Sequence, residues 1–282
     1  MTGFSASDAA IDGFRVIREK WRLIVGWSAF NLLALIILVV VATITIFIAA
    51  AVSPSPEAAT TAGAVIGFIL AGLGTMTVEA VIVAGLYRAV LRPDEPGFLG
   101  LRLGLDEIRL VVVWVALITF AGVVSAIAMN LAGPLGKAGG TALSVAVLLA
   151  ILAAAFYVFV RLSLAGPMTF DRRRITLAGS WRLTRGRFWA LLGMCALVIC
   201  LLALAAVLGW FLMLGLTGLL FGFQGMTLFP GSDAEAMVSQ PGPYLFQLTA
   251  QLLFAPVLWV IVHAPLAAAY KALRDPEPAP EA

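Results

Sequence analysis

The sequence predicts an all-α, polytopic membrane protein with six transmembrane helices. Three observations carry this. Of 282 residues, 62% are hydrophobic and only 12% charged, against roughly 25% charged in an average soluble domain. Six apolar stretches, each long enough for the roughly 20 residues a bilayer crossing takes, alternate with segments rich in Pro, Gly or charge. All 18 Lys and Arg but one, Lys137, fall in alternate connectors, the asymmetry that fixes membrane orientation. The mean hydropathy of +1.06 points the same way: so much apolar surface must face lipid or other spans. The net charge of +3 reflects orientation, not nucleic-acid binding.

The chain opens with an amphipathic segment, residues 5–20. Ser5 and Ser7 can cap a helix and Asp8 favours its start. Ile11, Phe14, Ile17 and Trp21 recur at helical spacing, so the segment reads as an interfacial helix or a solvated lead-in. The first span, about 23–52, is too long for a signal-peptide core and reads as retained. Ser53-Pro54-Ser55-Pro56 ends it, and the second span covers about 62–88. GFLGLRLGLDEIRL (97–110) reads as a second interfacial helix, with Leu101, Leu105 and Ile108 on its apolar side and Asp106 and Arg109 on its wet side. The third span, about 108–131, ends at the breaker Gly133-Pro134. The fourth runs about 141–165 to Gly166-Pro167.

A basic connector follows, holding Arg161, Arg172, Arg173, Arg174, Arg182, Arg185 and Arg187. Ile175, Ala178, Trp181 and Phe188-Trp189 give it the pattern of a third interfacial helix. The fifth span, about 188–222, is long enough to tilt or to break near Gly209 or Gly215. Ser232 and Glu235 have capping-box spacing for a short external helix. The sixth span, about 244–270, carries Pro256 and Pro265 as kink positions. Residues 275–282 read as a polar, disordered tail.

The positive-inside asymmetry places both termini in the cytoplasm. An internal repeat is also legible. LYRAVLRPDEP (86–96) and AYKALRDPEP (269–278) are similar exits from even-numbered spans. Trp-Arg pairs precede the first and fifth spans. The expected unit is an interfacial helix followed by a span out and a span back. It occurs three times in parallel orientation, at about 5–92, 98–168 and 172–274, within one membrane domain of residues 1–278.

No phosphate-binding loop, zinc-protease motif, CxxC pair or nucleophile elbow occurs. No metal or cofactor is expected. Cys195 and Cys200 lie about 140° apart on a helix, at about 100° per residue, and read as small buried hydrophobes. Glu79 and the single histidine, His263, are the candidate pair of polar site residues within spans. Counted back from the similar exits at Tyr87 and Tyr270, they share a depth and are expected to face one another or a common polar cavity. A carboxylate there is costly, about 2.5–3.5 kcal/mol on insertion scales for comparable charges. The pair is either a proton-responsive or headgroup-binding site, or an internal hydrogen bond that fixes packing. Arg161 either snorkels or binds phosphate. The other connector arginines set topology and attract anionic lipid or a protein partner, and Trp21, Trp181 and Trp189 anchor the interface.

The stretches Arg161-Leu162-Ser163-Leu164-Ala165-Gly166-Pro167 and Ser180-Trp181-Arg182-Leu183-Thr184-Arg185-Gly186 resemble one family: the membrane domain found beside glycerophosphoryl diester phosphodiesterases, shared by stand-alone bacterial inner-membrane proteins. The match is sharpest over 157–195. It implies a bacterial inner-membrane location. In the fused proteins, catalysis belongs to a separate soluble barrel with acidic metal ligands and paired histidines. With one histidine, this chain resembles the membrane part alone. The expectation is therefore a non-enzymatic scaffold or lipid-associated accessory with a basic cytoplasmic collar. The alternative is a transporter or lipid-handling protein using Glu79 and His263.

Overall fold

The computed structural model describes residues 6–95, 98–222, 239 and 241–274. In chain order the helices are α1 (Ala6–Glu19), α2 (Trp21–Val52), α3 (Pro56–Leu91), α4 (Leu105–Leu162), α5 (Ala165–Arg172), α6 (Leu177–Leu183), α7 (Phe188–Phe221) and α8 (Pro241–Arg274), with a 3₁₀ turn at Phe98–Gly100. No strand occurs among the described residues. Six segments are long and apolar enough to cross a membrane: α2, α3, the α4 portion Leu105–Ala132, the stretch Gly140–Arg172, α7 and α8. Their outward faces carry large exposed side chains such as Phe47, Phe68, Phe211 and Leu219, as lipid contact requires. The chain is a multi-pass integral membrane protein. The expected helix at 232–235 and the tail at 275–282 lie outside the described residues.

Local chemistry sets the boundaries. Ser55 Oγ accepts from the Ala58 amide at 3.2 Å and Pro56 begins α3, so this helix starts six residues before the expected span. Pro134 falls inside α4 and does not end it. The backbone leaves helical values at Gly140, with φ 75° and ψ 174°, which a glycine adopts readily. Leu110 and Phe170, one near the start of α4 and one in α5, share a core cluster. A straight 58-residue helix would keep its ends roughly 87 Å apart, so the chain doubles back at Gly140. α7 is unbroken through Gly209 and Gly215. At Gly209 the Phe254 ring of α8 packs so closely that an added Cβ would lie 2.6 Å from its Cε1.

The two expected later interfacial helices take other forms. Trp27 Nε1 donates to the Leu99 carbonyl at 2.9 Å, and Arg88 donates to the Gly100 carbonyl. These side chains hold the segment as a turn and non-helical chain up to Gly104. The first two turns of α4 then bury Glu107 and Leu110, whereas Leu105 and Ile108 face outward. The basic connector is likewise not one helix. Arg173 (φ 51°) closes α5, α6 follows, and Gly186 (φ 79°) precedes α7. Residues Ala165–Phe170 of α5 are fully buried.

α1 packs on the bundle through Ala9, Ala10 and Gly13, with Val16 and Ile17 half-buried against the core. At Gly13 an added Cβ would lie 3.1 Å from the Ile261 Cα of α8. Ile11 and Phe14 remain exposed on the outer side. The small residues thus make the closest approach while Ile11 and Phe14 face away from the protein, the arrangement of a helix set between a bundle and a lipid headgroup layer. Partial burial pushes the Asp12 carboxyl above its ordinary value, opposed by Arg15 at 2.9 Å. Of the cysteines, Cys195 is buried as expected, whereas Cys200, about 140° round the same helix, is exposed on the face of α7 that turns away from the bundle.

α8 passes through both prolines. Pro256 cannot donate to the Leu252 carbonyl four residues earlier. Asn31 of α2 donates to that carbonyl instead, Nδ2 to O at 2.7 Å. A freed backbone acceptor in the apolar interior is thereby satisfied by a neighbouring helix.

Candidate functional site

Two adjoining layers converge on α3, α4, α5 and α8. The first lies within the spans. His263 of α8 has its Nε2 3.7 Å from Glu79 Oε1 of α3, an ion-pair distance when the imidazole is protonated. Its Nδ1 is 3.3 Å from the Tyr87 hydroxyl, a hydrogen bond whose direction follows the tautomer. The Trp114 ring of α4 lies against the imidazole, centroids 5.6 Å apart. The two residues expected at a common depth are thus brought together, with Tyr87 and Trp114 as additional members. Glu79 retains 31% side-chain exposure and His263 12%. Carboxylate, imidazole and phenol form a chain along which one proton can be held at alternative atoms, directly or through an intervening water.

Tyr87 leads from this layer into the second. Its ring packs on Phe170 of α5, centroids 5.7 Å apart. The Arg88 and Arg92 guanidinium groups lie over the same Phe170 ring, at 5.4 and 4.7 Å from its centroid. Arg88 pairs with Glu107, with side-chain exposures of 6% and 2%. Arg92 donates to the Phe170 and Asp171 carbonyls, each at 2.7 Å, and lies 3.4 Å from Glu95 and 3.8 Å from Asp106. Arg109 pairs with Asp106 at 2.6 Å, and Arg173 with Glu95 at 3.0 Å. Asp171 accepts from the Tyr270 hydroxyl at 2.7 Å and from Arg274 at 2.9 Å. The exits of α3 and α8 therefore both grip the end of α5. Lys20, between α1 and α2, donates to the Ala89 carbonyl at 2.9 Å. These contacts gather most of the basic segments at one end of the bundle.

Two sets stand out among the arginines of that end. Arg88, Arg92, Arg109, Arg173 and Arg274 meet carboxylates. Arg172, Arg174, Arg182, Arg185 and Arg187 are exposed and make no ion pair among the described residues. Arg161, expected at a lipid-facing or phosphate-binding position, is instead only 5% exposed. Its guanidinium lies over Trp181 at 4.8 Å and near Tyr157 at 6.0 Å, and its Nε has no hydrogen-bond partner among the described residues. The close packing of α6 on α4 explains this: Ser180 and Thr184 donate to the Arg161 carbonyl at 2.9 and 3.3 Å. Trp21, Trp181 and Trp189 all keep faces open to the outside.

The Arg88–Glu107 pair and the Asp171 hub are absent from the sequence reading. The signal for the first is Glu107 at the threshold of an apolar span, nineteen residues after Arg88. Among the described residues no three His, Cys, Asp or Glu side chains come together as a metal site. Comparison of the chain with protein-family models, with curated proteins and with solved structures returns no match.

Proposed function

We propose that this protein is a non-enzymatic, lipid-associated scaffold of the bacterial inner membrane, with its termini and its arginine-rich end on the cytoplasmic side. The division of the arginines carries this reading. One set is neutralised within the fold and builds it. The other set, Arg172, Arg174, Arg182, Arg185 and Arg187, projects outward from α5, α6 and the approach to α7. Exposed cations at a membrane surface each attract anionic lipid by about 1 kcal/mol. The exposed Trp181 and Trp189 place interfacial aromatics in the same segment. The resemblance to the phosphodiesterase-associated membrane domain is in keeping with a membrane role without chemistry of its own. The test is to purify the protein with its native lipid and compare the bound lipid with the bulk membrane. Enrichment of anionic phospholipid that disappears when the five arginines become glutamine supports the reading. Bound lipid indistinguishable from bulk removes it.

The Glu79–His263–Tyr87 chain favours a second reading, transport or lipid handling, because three proton-holding groups from two spans meet there. Under this reading Glu79→Gln abolishes retention or movement of a small molecule or lipid while the protein stays folded. Identical co-purifying material in wild type and variant leaves the pair a packing element.

A further inference from the structure

We infer that α5 and α6 form a binding recess for the phosphate of an anionic amphiphile, a specific subsite within the lipid association proposed above and dependent on that reading. Met168 and Arg172 lie one turn apart on α5, and Gly179, Arg182 and Leu183 share a side of α6. Together they line an open recess of about 300 Å³. Both arginines are exposed, and neither has a carboxylate within ion-pair distance among the described residues. Gly179 and Met168 pack closely: an added Cβ at Gly179 would lie 2.6 Å from Met168 Cε. The recess thus sets two exposed guanidinium groups beside the buried Met168 and the half-buried Leu183.

This pairing selects a class of ligand. Guanidinium groups bind phosphate oxygens through charge-assisted, often bidentate hydrogen bonds. Apolar side chains beside them favour a ligand that continues from phosphate into methylenes. A phospholipid phosphate with its glycerol and first acyl carbons has this form, and inorganic phosphate has only the first half. The location also fits, since α5 is rooted in the bundle by buried residues and α6 is held by Ser180 and Thr184. A headgroup there would bridge two elements already fixed in the fold.

The experiment is native mass spectrometry of the full-length protein released from nanodiscs containing phosphatidylglycerol and phosphatidylcholine, with phosphate buffer as a separate arm. Three variants are compared with wild type: Arg172→Gln/Arg182→Gln, Arg185→Gln/Arg187→Gln and Gly179→Leu. The wild type is expected to retain phosphatidylglycerol. The recess double variant should lose about tenfold in retention, the effect of one net charge-assisted hydrogen bond at about 1.4 kcal/mol per decade. The outer pair Arg185→Gln/Arg187→Gln removes the same charge and should reduce retention much less. Gly179→Leu keeps every charge, displaces the Met168 side chain that packs on Gly179 and so reshapes the recess; with unchanged helicity it should match the recess double variant. Equal losses for the two double variants, with Gly179→Leu at wild-type level, would overturn the recess and leave general anionic attraction intact. No preference for phosphatidylglycerol in any form would remove both. Retention of phosphate but not of lipid would replace the amphiphile with a free phosphate ligand and refute the proposal as stated.

Discussion

Replacing Glu107 with alanine should destabilise the fold more than any single change on its outer surface. The carboxylate is 2% exposed and the Arg88 side chain it meets 6% exposed. Truncation leaves a buried guanidinium without its counter-charge, for which about 3–5 kcal/mol is typical. Arg88 keeps its bond to the Gly100 carbonyl and its place over Phe170, so the lower end, about 3 kcal/mol, is expected. Glu107→Gln should cost less, because the amide oxygen still accepts from Arg88. Arg88→Met/Glu107→Leu should cost less than the sum of its single changes, with an interaction energy of about 0.5–3 kcal/mol, because no charge is left buried. The assay is reversible unfolding of purified protein by sodium dodecyl sulfate titration in mixed micelles, followed by helicity. A cost below about 0.5 kcal/mol for Glu107→Ala, the range of surface substitutions, would refute the buried-pair argument.

Other predictions concern the packing of individual helices. Asn31→Leu should cost about 0.6–2 kcal/mol, since it strands the Leu252 carbonyl. The same change should cost less in a Pro256→Ala background, where the restored amide can bond that carbonyl; equal costs in both backgrounds contradict the capping role. Gly13→Leu should loosen α1 from α8, where an added Cβ meets Ile261 backbone. Faster limited proteolysis within residues 6–19 is the readout, and an unchanged rate argues against close docking. Tyr87→Phe deletes the hydroxyl that reaches His263 but keeps the ring on Phe170. It should therefore leave stability within about 1 kcal/mol, the net worth of one hydrogen bond. Loss of several kcal/mol would mean the phenol does more than the observed contacts account for.

Much of the architecture was legible because hydropathy reports directly on which segments can face lipid. The depth match of Glu79 and His263 was legible for a related reason. Two similar exits, at Tyr87 and Tyr270, supply a common ruler along the helix axis. What the ruler does not contain is rotation about that axis. In α1 the apolar spacing marks Ile11 and Phe14, which stay exposed, but it does not reveal that Ala9, Ala10 and Gly13 meet the bundle, where close helix approach requires small side chains. At the start of α4 the wet-side pattern of Asp106 and Arg109 leaves Glu107 unassigned, and Glu107 turns inward to Arg88.

The connector between α4 and α7 was the least legible part. Its arginine count set an expected side of the membrane, but one-dimensional charge says nothing of which carboxylates return from distant segments. Glu95 reaches Arg173 across 78 positions, whereas Arg161 disappears beneath Trp181. The two turns that divide the connector depend on backbone values at Arg173 and Gly186, and only the glycine announces itself in the sequence. Likewise, Pro256 signals a freed carbonyl, but only the packed helices reveal Asn31 as the donor.

The central claim is that the basic segments share one cytoplasmic membrane face, on which the exposed arginines meet lipid. Single cysteines at positions 137 and 185, in a background with Cys195 and Cys200 changed to alanine, test it most directly through labelling of intact cells with a membrane-impermeant thiol reagent. The account predicts that Lys137→Cys is labelled from outside, and that Arg185→Cys is labelled only after the membrane is opened. Labelling of both positions from the same side, or of position 185 alone in intact cells, would contradict it.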